Sequence, residues 1–385
     1  MPNDTVQAMI QETFLEMAQA LESGHLGGPP KIALTGIGSE LGEENALQGA
    51  LLAARQGVDV VYIGSLEADG VTHISASNED EARQAMEKLL DDGTIAGAVT
   101  MHYPFPIGVA TVGRAVIPAN GREMYLATTT GTASADRVQG MVLGAIYGII
   151  TARACGVKEP TVGILNIDGA RQTEIALNKL IAGGYPITMA CSGRADGGCI
   201  MRGNDILAGA PDVMVMDSLT GNLVIKMLSS FASGGQYESL GYGYGPGIGE
   251  DYDRLVLIAS RASGASVIAG ALQFGATLAR NDYRAIAAQE FALANKAGLK
   301  DILAGTQATR KTSAKEGAVV VPAREPVTAD IAGIDVMDLE NAVELLWKNG
   351  IYAESGMGCT GPIVLVSEPK LHQAADALRK GGYIN

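Results

Sequence analysis

The sequence lacks several features that would assign it to a class of protein directly. It has no cluster of Lys and Arg residues, and its formal net charge is −14. Nucleic-acid-binding proteins neutralise phosphates with such clusters, so we expect no nucleic-acid partner. No stretch reaches the roughly 18 apolar residues that a membrane-spanning helix needs, and we expect no membrane contact. The N-terminal residues show no basic start followed by an apolar run, which argues against a signal peptide.

Cysteine is also scarce, with four residues at positions 155, 191, 199 and 359. They form no CxxC pair and have no His or Cys partner at ligand spacing, so we expect no metal site. Free thiols are typical of a reducing compartment, and we therefore expect a cytoplasmic protein. The segment GIGSELG resembles a dinucleotide fingerprint only loosely, because no acidic residue ends the second predicted strand. We reject NAD binding on this ground and expect no cofactor.

What the chain does have is a regular alternation of strands and helices from Lys31 onward. Hydrophobic residues make up 47% of the 385 positions, and glycine occurs 50 times, which is typical of a globular protein with many tight turns. Near-continuous apolar strands such as KIALT and VDVVYIG predict a mostly parallel sheet covered on both faces. We therefore predict a three-layer α/β/α sandwich, with residues 1–30 as a helical extension and residues 31–385 as one domain.

Three further segments carry local predictions. Residues 5–23 have the spacing of an amphipathic helix that packs on the domain surface or on a partner. Residues 233–249 are rich in glycine and form either a functional loop or a flexible surface loop. Near the end of the chain we predict a helix over 338–349, a loop over GIYAESGMGCTGP, the strand IVLVS and a final helix over 369–380.

The first candidate for chemistry is Cys359, in the segment Ser-Gly-Met-Gly-Cys-Thr-Gly-Pro. A thiolate is strongly nucleophilic, so cysteine is the natural residue to carry an acyl group as a thioester. Gly358 and Gly361 have no side chains to cover the backbone on either side of Cys359. The N–H groups next to Cys359, including that of Thr360, would stabilise an oxyanion. The alternative is a small hydrophobic residue in a tight turn.

The second candidate is a phosphate pocket in the segment from Arg202 to Lys226. An acidic strand end leads there into a helix start, where free N–H groups favour an anion. The polar residues that we predict to line this pocket are Asn204, Asp205, Thr220, Asn222 and Lys226. The alternative is a capped helix with a solvated lysine.

The third candidate is His102, which follows a predicted strand. It is either a general base or a structural residue.

Several stretches together resemble the PlsX-type phosphate acyltransferases, which are related in fold to the phosphotransacetylases. The resemblance runs through KIALTGIGSE, TVGILNIDGARQTEIALNKL and, most specifically, RGNDILAGAPDVMVMDSLTGNLVIK. It implies a fold like that of isocitrate and isopropylmalate dehydrogenases and an acyltransferase domain over residues 31–385. Residues 101–106, MHYPFP, depart from the family pattern and argue against lipid acyl carriers as substrates.

Within that group the chain is most similar to the alpha subunits of protein C in glycine, sarcosine and betaine reductase complexes. The Gly-Met-Gly-Cys-Thr-Gly-Pro segment carries this distinction. The resemblance implies an acetyl thioester on Cys359, which inorganic phosphate cleaves to acetyl phosphate. It also implies three kinds of partner: a beta subunit like the ketoacyl synthases, the selenoprotein A that delivers the substrate, and further copies of this chain in a homo-oligomeric core.

Two alternatives remain open. The chain could be a stand-alone phosphate acyltransferase that uses acyl-carrier or coenzyme A thioesters, or a scaffold subunit without chemistry of its own. A geometric question also remains, because Cys359 precedes its strand whereas ligands favour the carboxyl ends of parallel strands. This conflict disappears if the last strand runs antiparallel to its neighbours in the sheet.

Overall fold

The computed structural model describes Phe14 and residues 28–194, 197–312, 321–334, 338–358 and 361–384. The predicted helix over 5–23 lies outside the described residues except for Phe14, which is helical and exposed. The chain forms two compact units. Unit 1 comprises Met1–Tyr103, Tyr237–Gly243 and Arg254–Asp282, and unit 2 comprises Pro104–Gln236, Tyr244–Asp253 and Tyr283–Asn385.

Unit 1 is built on a parallel sheet. Its strands are β1 (Lys31–Thr35), β2 (Asp59–Gly64), β3 (Thr72–Ser75), β4 (Gly97–Thr100) and β12 (Val256–Ile258), in the order β3-β2-β1-β4-β12. Its helices are α1 (Glu43–Arg55), α2 (Glu79–Asp91) and α7 (Ala265–Arg280). Each pair of neighbouring strands is parallel, as the apolar runs predict.

The alternation of side chains along β1 shows why helices cover both faces of this sheet. Ala33 packs in a cluster with Ala82 and Met86 of α2. The next side chain, Ile32, points to the other face, where it approaches Gly275 of α7. Successive residues of a strand point to opposite faces, so unit 1 has the predicted three layers.

Unit 2 contains a mixed sheet. Its strands are β5 (Val109–Val116), β6 (Glu123–Thr132), β7 (Thr161–Leu165), β8 (Thr188–Met189), β9 (Ile200–Met201), β10 (Val213–Val215) and β11 (Gly245–Ile248), in the order β11-β5-β6-β10-β7-β8, with β9 also on β7. Strand β5 is antiparallel to β6 and β11, and the remaining pairs are parallel. The predicted α/β class with mostly parallel strands is confirmed.

Helices of unit 2 approach the sheet closely at glycines. The helices are α3 (Arg137–Ala154), α4 (Ala170–Ala182), α5 (Gly203–Ala208), α6 (Ser218–Ser229), α8 (Tyr283–Lys296) and α9 (Leu299–Thr312). A Cβ atom at Gly221 of α6 would lie 1.8 Å from the carbonyl oxygen of Thr128. Only glycine therefore allows α6 to lie this close to the strand.

The glycine-rich segment over 233–249 is not a flexible surface loop throughout. Its last part forms β11, whose residues are all buried, and Tyr244 before it is buried as well. Gly245 has a φ of 82°, and a Cβ atom there would lie 1.7 Å from the carbonyl oxygen of Val112. This glycine serves close backbone packing.

The C-terminal part of unit 2 forms a small antiparallel sheet with its own core. Strands β13 (Ala329–Ala332), β14 (Ala353–Gly358) and β15 (Gly361–Val366) lie in the order β13-β15-β14, and the helices are α10 (Leu339–Lys348) and α11 (Leu371–Lys380). Ile331, Val343, Leu346, Val364, Val366 and Leu378 are among its buried core side chains.

This small sheet corrects two predictions. The segment AESGMG, which we expected in a loop, is strand β14, because its hairpin partner β15 satisfies its backbone groups. Strand β15 does run antiparallel to its neighbours, but these are β13 and β14. Strand β15 is therefore not an antiparallel strand of the sheet that contains β5 to β11, so this explanation for the position of Cys359 does not apply.

Candidate functional site

Two cavities lined by described residues lie at the carboxyl edge of the unit 2 sheet, where ligands of α/β sheets usually bind. Strand β7 ends at Leu165 and is followed by Asn166 and the start of α4. Strand β10 ends at Val215 and leads through Asp217 into α6. We call the cavity beside the first of these connections cavity A, and that beside the second cavity B.

Cavity A has a volume of about 370 Å³. Its polar wall contains Asn166, Arg171, Glu174, Arg194 and Cys199. The small antiparallel sheet supplies an apolar wall, which includes Pro362 at the start of β15. The cavity therefore lies between a strand end, a helix start and the small antiparallel sheet.

Arg171 and Glu174 form an ion pair inside cavity A. The guanidinium Nη1 of Arg171 donates to the Glu174 carboxylate, and Cys199 Sγ donates to the other carboxylate oxygen over 3.3 Å. The Arg171 side chain is 13% exposed, and its Nε atom is buried without a hydrogen-bond partner among the described residues. A buried N–H group of this kind favours a ligand with oxygen acceptors.

The start of α4 adds to this preference for an anion. Its N-cap residue is Gly169, which has a φ of 86°. Amide groups at a helix start carry partial positive charge, and the described residues that line cavity A include the guanidinium groups of Arg171 and Arg194. The arrangement suits an oxyanion such as phosphate, which guanidinium groups bind through paired hydrogen bonds.

Cys199 is a poor nucleophile in this setting. Burial, followed by the charge of Glu174, raises the pKa of its thiol to about 12. The thiol therefore stays protonated near neutral pH, and only the thiolate attacks carbonyl groups. Burial also raises the pKa of the Cys155 thiol, whereas Cys191 is exposed.

Asp205, which we predicted to bind substrate, holds the loop that carries Arg194. Its buried carboxylate accepts hydrogen bonds from Ser192 Oγ at 2.8 Å, Gly193 N at 2.9 Å and Arg202 N at 2.7 Å. Burial by itself would raise the pKa of Asp205, but these hydrogen bonds outweigh it and the pKa is lowered. Asp205 is therefore a positioning residue, and Asn204 beside it is exposed on α5.

The predicted phosphate pocket at the start of α6 needs correction. The N–H groups of Leu219 and Thr220 both donate to Asp217 Oδ1 over 3.1 Å, and Thr220 Oγ1 donates to Asp217 Oδ2 over 2.8 Å. A carboxylate thus already occupies the helix start, and the expectation of free N–H groups there was wrong. The side-chain amide of Asn222 donates to the carbonyl oxygen of Thr129 over 3.1 Å.

Lys226 lies farther along α6, with Nζ 5.7 Å from the centroid of the Tyr244 ring. The structure therefore does not bring Thr220, Asn222 and Lys226 together around an empty anion site. Cavity B, of about 240 Å³, is lined by Arg137 and Asp217. Arg137 pairs with Asp168 at 3.2 Å. The described lining of cavity B contains one arginine, and that of cavity A contains two.

His102 lies in unit 1, two residues after the end of β4, and is exposed. It lines a small cavity of about 70 Å³ together with Thr35, Glu79 and Arg83. Glu79 pairs with Arg261, and this hydrogen bond is the main reason that the pKa of Glu79 is lowered. The role of His102 as a general base stays a prediction.

Cys359 and Thr360 lie outside the described residues, so their predicted roles stay predictions. The residues on either side of them are described: Gly358 and Gly361 are opposite each other in the antiparallel pairing of β14 and β15. Pro362, the next residue, lines cavity A.

In the part of the chain that the structure describes, no group of three His, Cys, Asp or Glu residues could hold a metal ion. No helix in that part is long and apolar enough to cross a membrane.

Sequence reasoning missed the two arginines of cavity A. Arg171 stands in the segment NIDGAR, where an apolar strand ends and a helix begins after a glycine. This is the pattern by which we selected the start of α6, and it would have identified Arg171 as well. Arg194 follows in the loop SGRADGG, where no periodicity indicated its position.

Comparison with known proteins agrees with this architecture. Residues 30–365 match the family model described as fatty acid synthesis protein, and the chain belongs to that family. It is 55% identical over 381 residues to the alpha subunit of component C of the glycine/sarcosine/betaine reductase complex of Peptoclostridium acidaminophilum, covering 98% of this chain and 99% of that relative. The resemblance predicted from the sequence is thereby confirmed.

More distant relatives are phosphate acyltransferases. The chain is 29% identical over 240 residues to a phosphate acyltransferase of Thermus thermophilus, covering 51% of this chain and 70% of that enzyme. Among solved structures, it is similar to a branched-chain phosphotransacylase from Enterococcus faecalis V583, with 14% identity and a TM-score of 0.44 over 64% of this chain and 99% of that one.

Proposed function

We propose that this chain carries an acetyl group as a thioester on Cys359 and transfers it to inorganic phosphate bound in cavity A. The observation that carries the proposal is the composition of this cavity. Arg171 and Arg194 share it with Pro362, which is three residues from Cys359 in the sequence. An anion held by the arginines would thus lie beside the hairpin that contains the reactive residue.

The proposed reaction is a displacement at the thioester carbonyl. A phosphate oxygen attacks the carbonyl carbon, the carbon–sulfur bond breaks, and the sulfur leaves as the thiolate of Cys359. The products are acetyl phosphate and the free chain, and no oxidant or reductant is needed in this step. Arg171 and Arg194 hold the phosphate and fix one oxygen toward the carbonyl, which lowers the entropic part of the barrier.

The partners are part of the same proposal. The relative at 55% identity is named as a subunit of a reductase complex. By this similarity, the chain works beside a beta subunit like the ketoacyl synthases and receives its acyl group from chemistry on selenoprotein A. Substrate delivery by these partners would precede the transfer to phosphate.

Isotope exchange tests the proposal with the intact chain alone. In the reverse direction, the thiolate of Cys359 attacks acetyl phosphate, and phosphate leaves. Radiolabelled phosphate should therefore enter acetyl phosphate without any further substrate, and mass spectrometry should find one acetyl group on Cys359. Cys359→Ser should lose both the exchange and the adduct, whereas the matched variant of the exposed Cys191, Cys191→Ser, should retain both.

Two outcomes would overturn the proposal. One is exchange that survives in Cys359→Ser, and the other is an acetyl group on a different cysteine. Exchange that appears only after coenzyme A or an acyl carrier is added would instead support the alternative of a stand-alone phosphate acyltransferase. This alternative function is worth testing because some relatives of the chain are phosphate acyltransferases.

A further inference from the structure

A carboxylate lies among the positively charged groups of cavity A. Besides Arg171 and Arg194, the described lining of this cavity includes Glu174. Glu174 is 8% exposed, so little water screens its charge. A negative charge at this position repels any anion that the arginines attract, and a site for anions in general would be better without it. The presence of Glu174 therefore bears on which anion binds.

Two hydrogen bonds hold the Glu174 carboxylate in place. Arg171 Nη1 donates to Oε2, and Cys199 Sγ donates to Oε1 over 3.3 Å. Burial, followed by the charge of Glu174, raises the pKa of the Cys199 thiol to about 12, so the thiol keeps its hydrogen near neutral pH. Because both neighbours are donors, the carboxylate acts as an acceptor toward each of them.

The carboxylate can accept further hydrogen bonds from a ligand. Each of its oxygens has two lone pairs, and the two bonds to described residues use one lone pair on each oxygen. Glu174 also lines the cavity in which the phosphate would lie. Only a ligand that carries a hydrogen on one of its polar atoms can turn this repulsive contact into a hydrogen bond.

We propose that Glu174 makes cavity A selective for phosphate over sulfate, because its carboxylate accepts the hydrogen of a P–OH group. This inference rests on the proposed function, which places phosphate in cavity A. Near neutral pH inorganic phosphate carries at least one hydrogen, whereas sulfate has the same tetrahedral shape and carries none. The phosphate dianion and sulfate also have the same charge, so arginines alone would distinguish them poorly. The ligand class is therefore the protonated tetrahedral oxyanion, which includes phosphate and arsenate.

In this arrangement phosphate donates one hydrogen bond and accepts the others. Its P–OH group donates to Glu174, and its remaining oxygens accept from the guanidinium groups of Arg171 and Arg194. The oxygen that attacks the thioester carbonyl is then one that carries no hydrogen. The hydrogen stays on the P–OH oxygen during the transfer and leaves with acetyl phosphate.

Sulfate in the same place would put an oxygen without a hydrogen against the carboxylate. Neither group could donate, and two negative charges would face each other in a cavity with little screening. A site that is built to hydrogen-bond a hydroxyl group of its ligand rejects analogues without that group by up to about 10⁴–10⁵-fold. We expect sulfate to bind at least about a hundredfold more weakly than phosphate.

Titration calorimetry with the intact chain tests the inference without any acyl donor. Phosphate and sulfate are titrated near neutral pH at equal ionic strength. Glu174→Gln removes the negative charge and offers an amide N–H group to an oxygen, so the preference for phosphate should fall at least about tenfold. The matched control is Glu290→Gln, since Glu290 is also buried and paired with an arginine, Arg153, but is not among the described residues that line cavity A. This variant should keep the wild-type preference.

A second measurement uses the wild-type chain alone, in case Glu174→Gln fails to fold. Monofluorophosphate keeps the shape and the charge of the phosphate dianion but has fluorine in place of the hydroxyl group, so it should bind as weakly as sulfate. Monofluorophosphate that binds as tightly as phosphate would refute the role of Glu174. Equal wild-type affinities for phosphate and sulfate, binding of neither anion, or a folded Glu174→Gln chain with the wild-type preference would refute it too.

These results are independent of the test of acetyl transfer. A chain that prefers phosphate through Glu174 but shows no exchange on Cys359 would support the selectivity and refute the proposed transfer. A chain that shows the exchange but binds phosphate and sulfate equally would support the transfer and refute the selectivity.

Discussion

Removal of the Arg171 guanidinium is the most direct perturbation of the proposed phosphate site. In Arg171→Ala the cavity keeps Arg194 and Asn166 but no longer has the buried Nε–H group that lacks a partner among the described residues. We expect acetylation of Cys359 by a small acetyl thioester to remain intact, because that step needs no phosphate. The use of phosphate should weaken.

The size of the effect follows from the kind of hydrogen bond that the substitution removes. A hydrogen bond to a charged group is worth about 1.5–3 kcal/mol, which corresponds to a decrease of about tenfold to hundredfold in phosphate efficiency. Arg171→Lys keeps the charge but not the planar fork, so its decrease should be smaller. Arsenate has the same shape and charge as phosphate, so we expect the variants to rank in the same order of efficiency with arsenate.

The ion pair with Glu174 calls for a stability control. Glu174 is 8% exposed, and without Arg171 its carboxylate would be buried beside the thiol of Cys199. Loss of a partner from a buried pair costs about 3–5 kcal/mol of stability. The double variant Arg171→Ala/Glu174→Gln removes that charge and should recover much of the stability, while phosphate efficiency stays low.

The assay is the rate of acetyl phosphate formation from the acetylated chain over a range of phosphate concentrations, with urea unfolding measured on each variant. A wild-type dependence on phosphate concentration in a folded Arg171→Ala chain would refute cavity A as the phosphate site. Lys226→Ala is the comparison, because Lys226 lies outside cavity A. If Lys226→Ala lowers phosphate efficiency and Arg171→Ala does not, phosphate binds beside α6 and not in cavity A.

Two further predictions concern Asp205 and the thiols. The pKa of Asp205 is lowered in the folded chain, so its stabilising effect is present above the unfolded pKa of about 3.9 and is lost as the pH falls through the folded value. The free energy of unfolding should therefore fall more steeply below about pH 4 in the wild type than in Asp205→Asn, and equal slopes would contradict this. Iodoacetamide at about pH 8 should label Cys359 faster than Cys155, Cys191 or Cys199, because burial raises the pKa of Cys155 and Cys199. Preferential labelling of Cys199, read by mass spectrometry, would count against Cys359.

The strands of the two main sheets were largely predictable from the sequence, because their apolar runs are long and continuous. KIALT and VDVVYIG form β1 and β2, and the helix predicted over 338–349 forms as α10. Strand β5 was missed, since VATVGRAV contains a glycine and an arginine that interrupt its apolar run. Arg114 nevertheless fits into the sheet, because it pairs with Glu123 of the neighbouring strand.

The site was less predictable because its residues depend on tertiary contacts. The start of α6 was a reasonable anion site by sequence, but the side chain of Asp217 folds back onto its N–H groups. Asp205 looked like a ligand and instead binds the backbone of its own loop. In both cases the sequence shows the polar residue but not the direction in which its side chain points.

Two paired strands of the small antiparallel sheet flank the proposed reactive segment in the sequence. The core of this sheet is formed by side chains such as Val343, Leu346, Val364 and Leu378. One residue inserted into β14 would exchange the inward and outward side chains of the strand. Because β14 pairs with β15 along its whole length, a change of length in either strand would disturb the small sheet unless the other strand compensates for it.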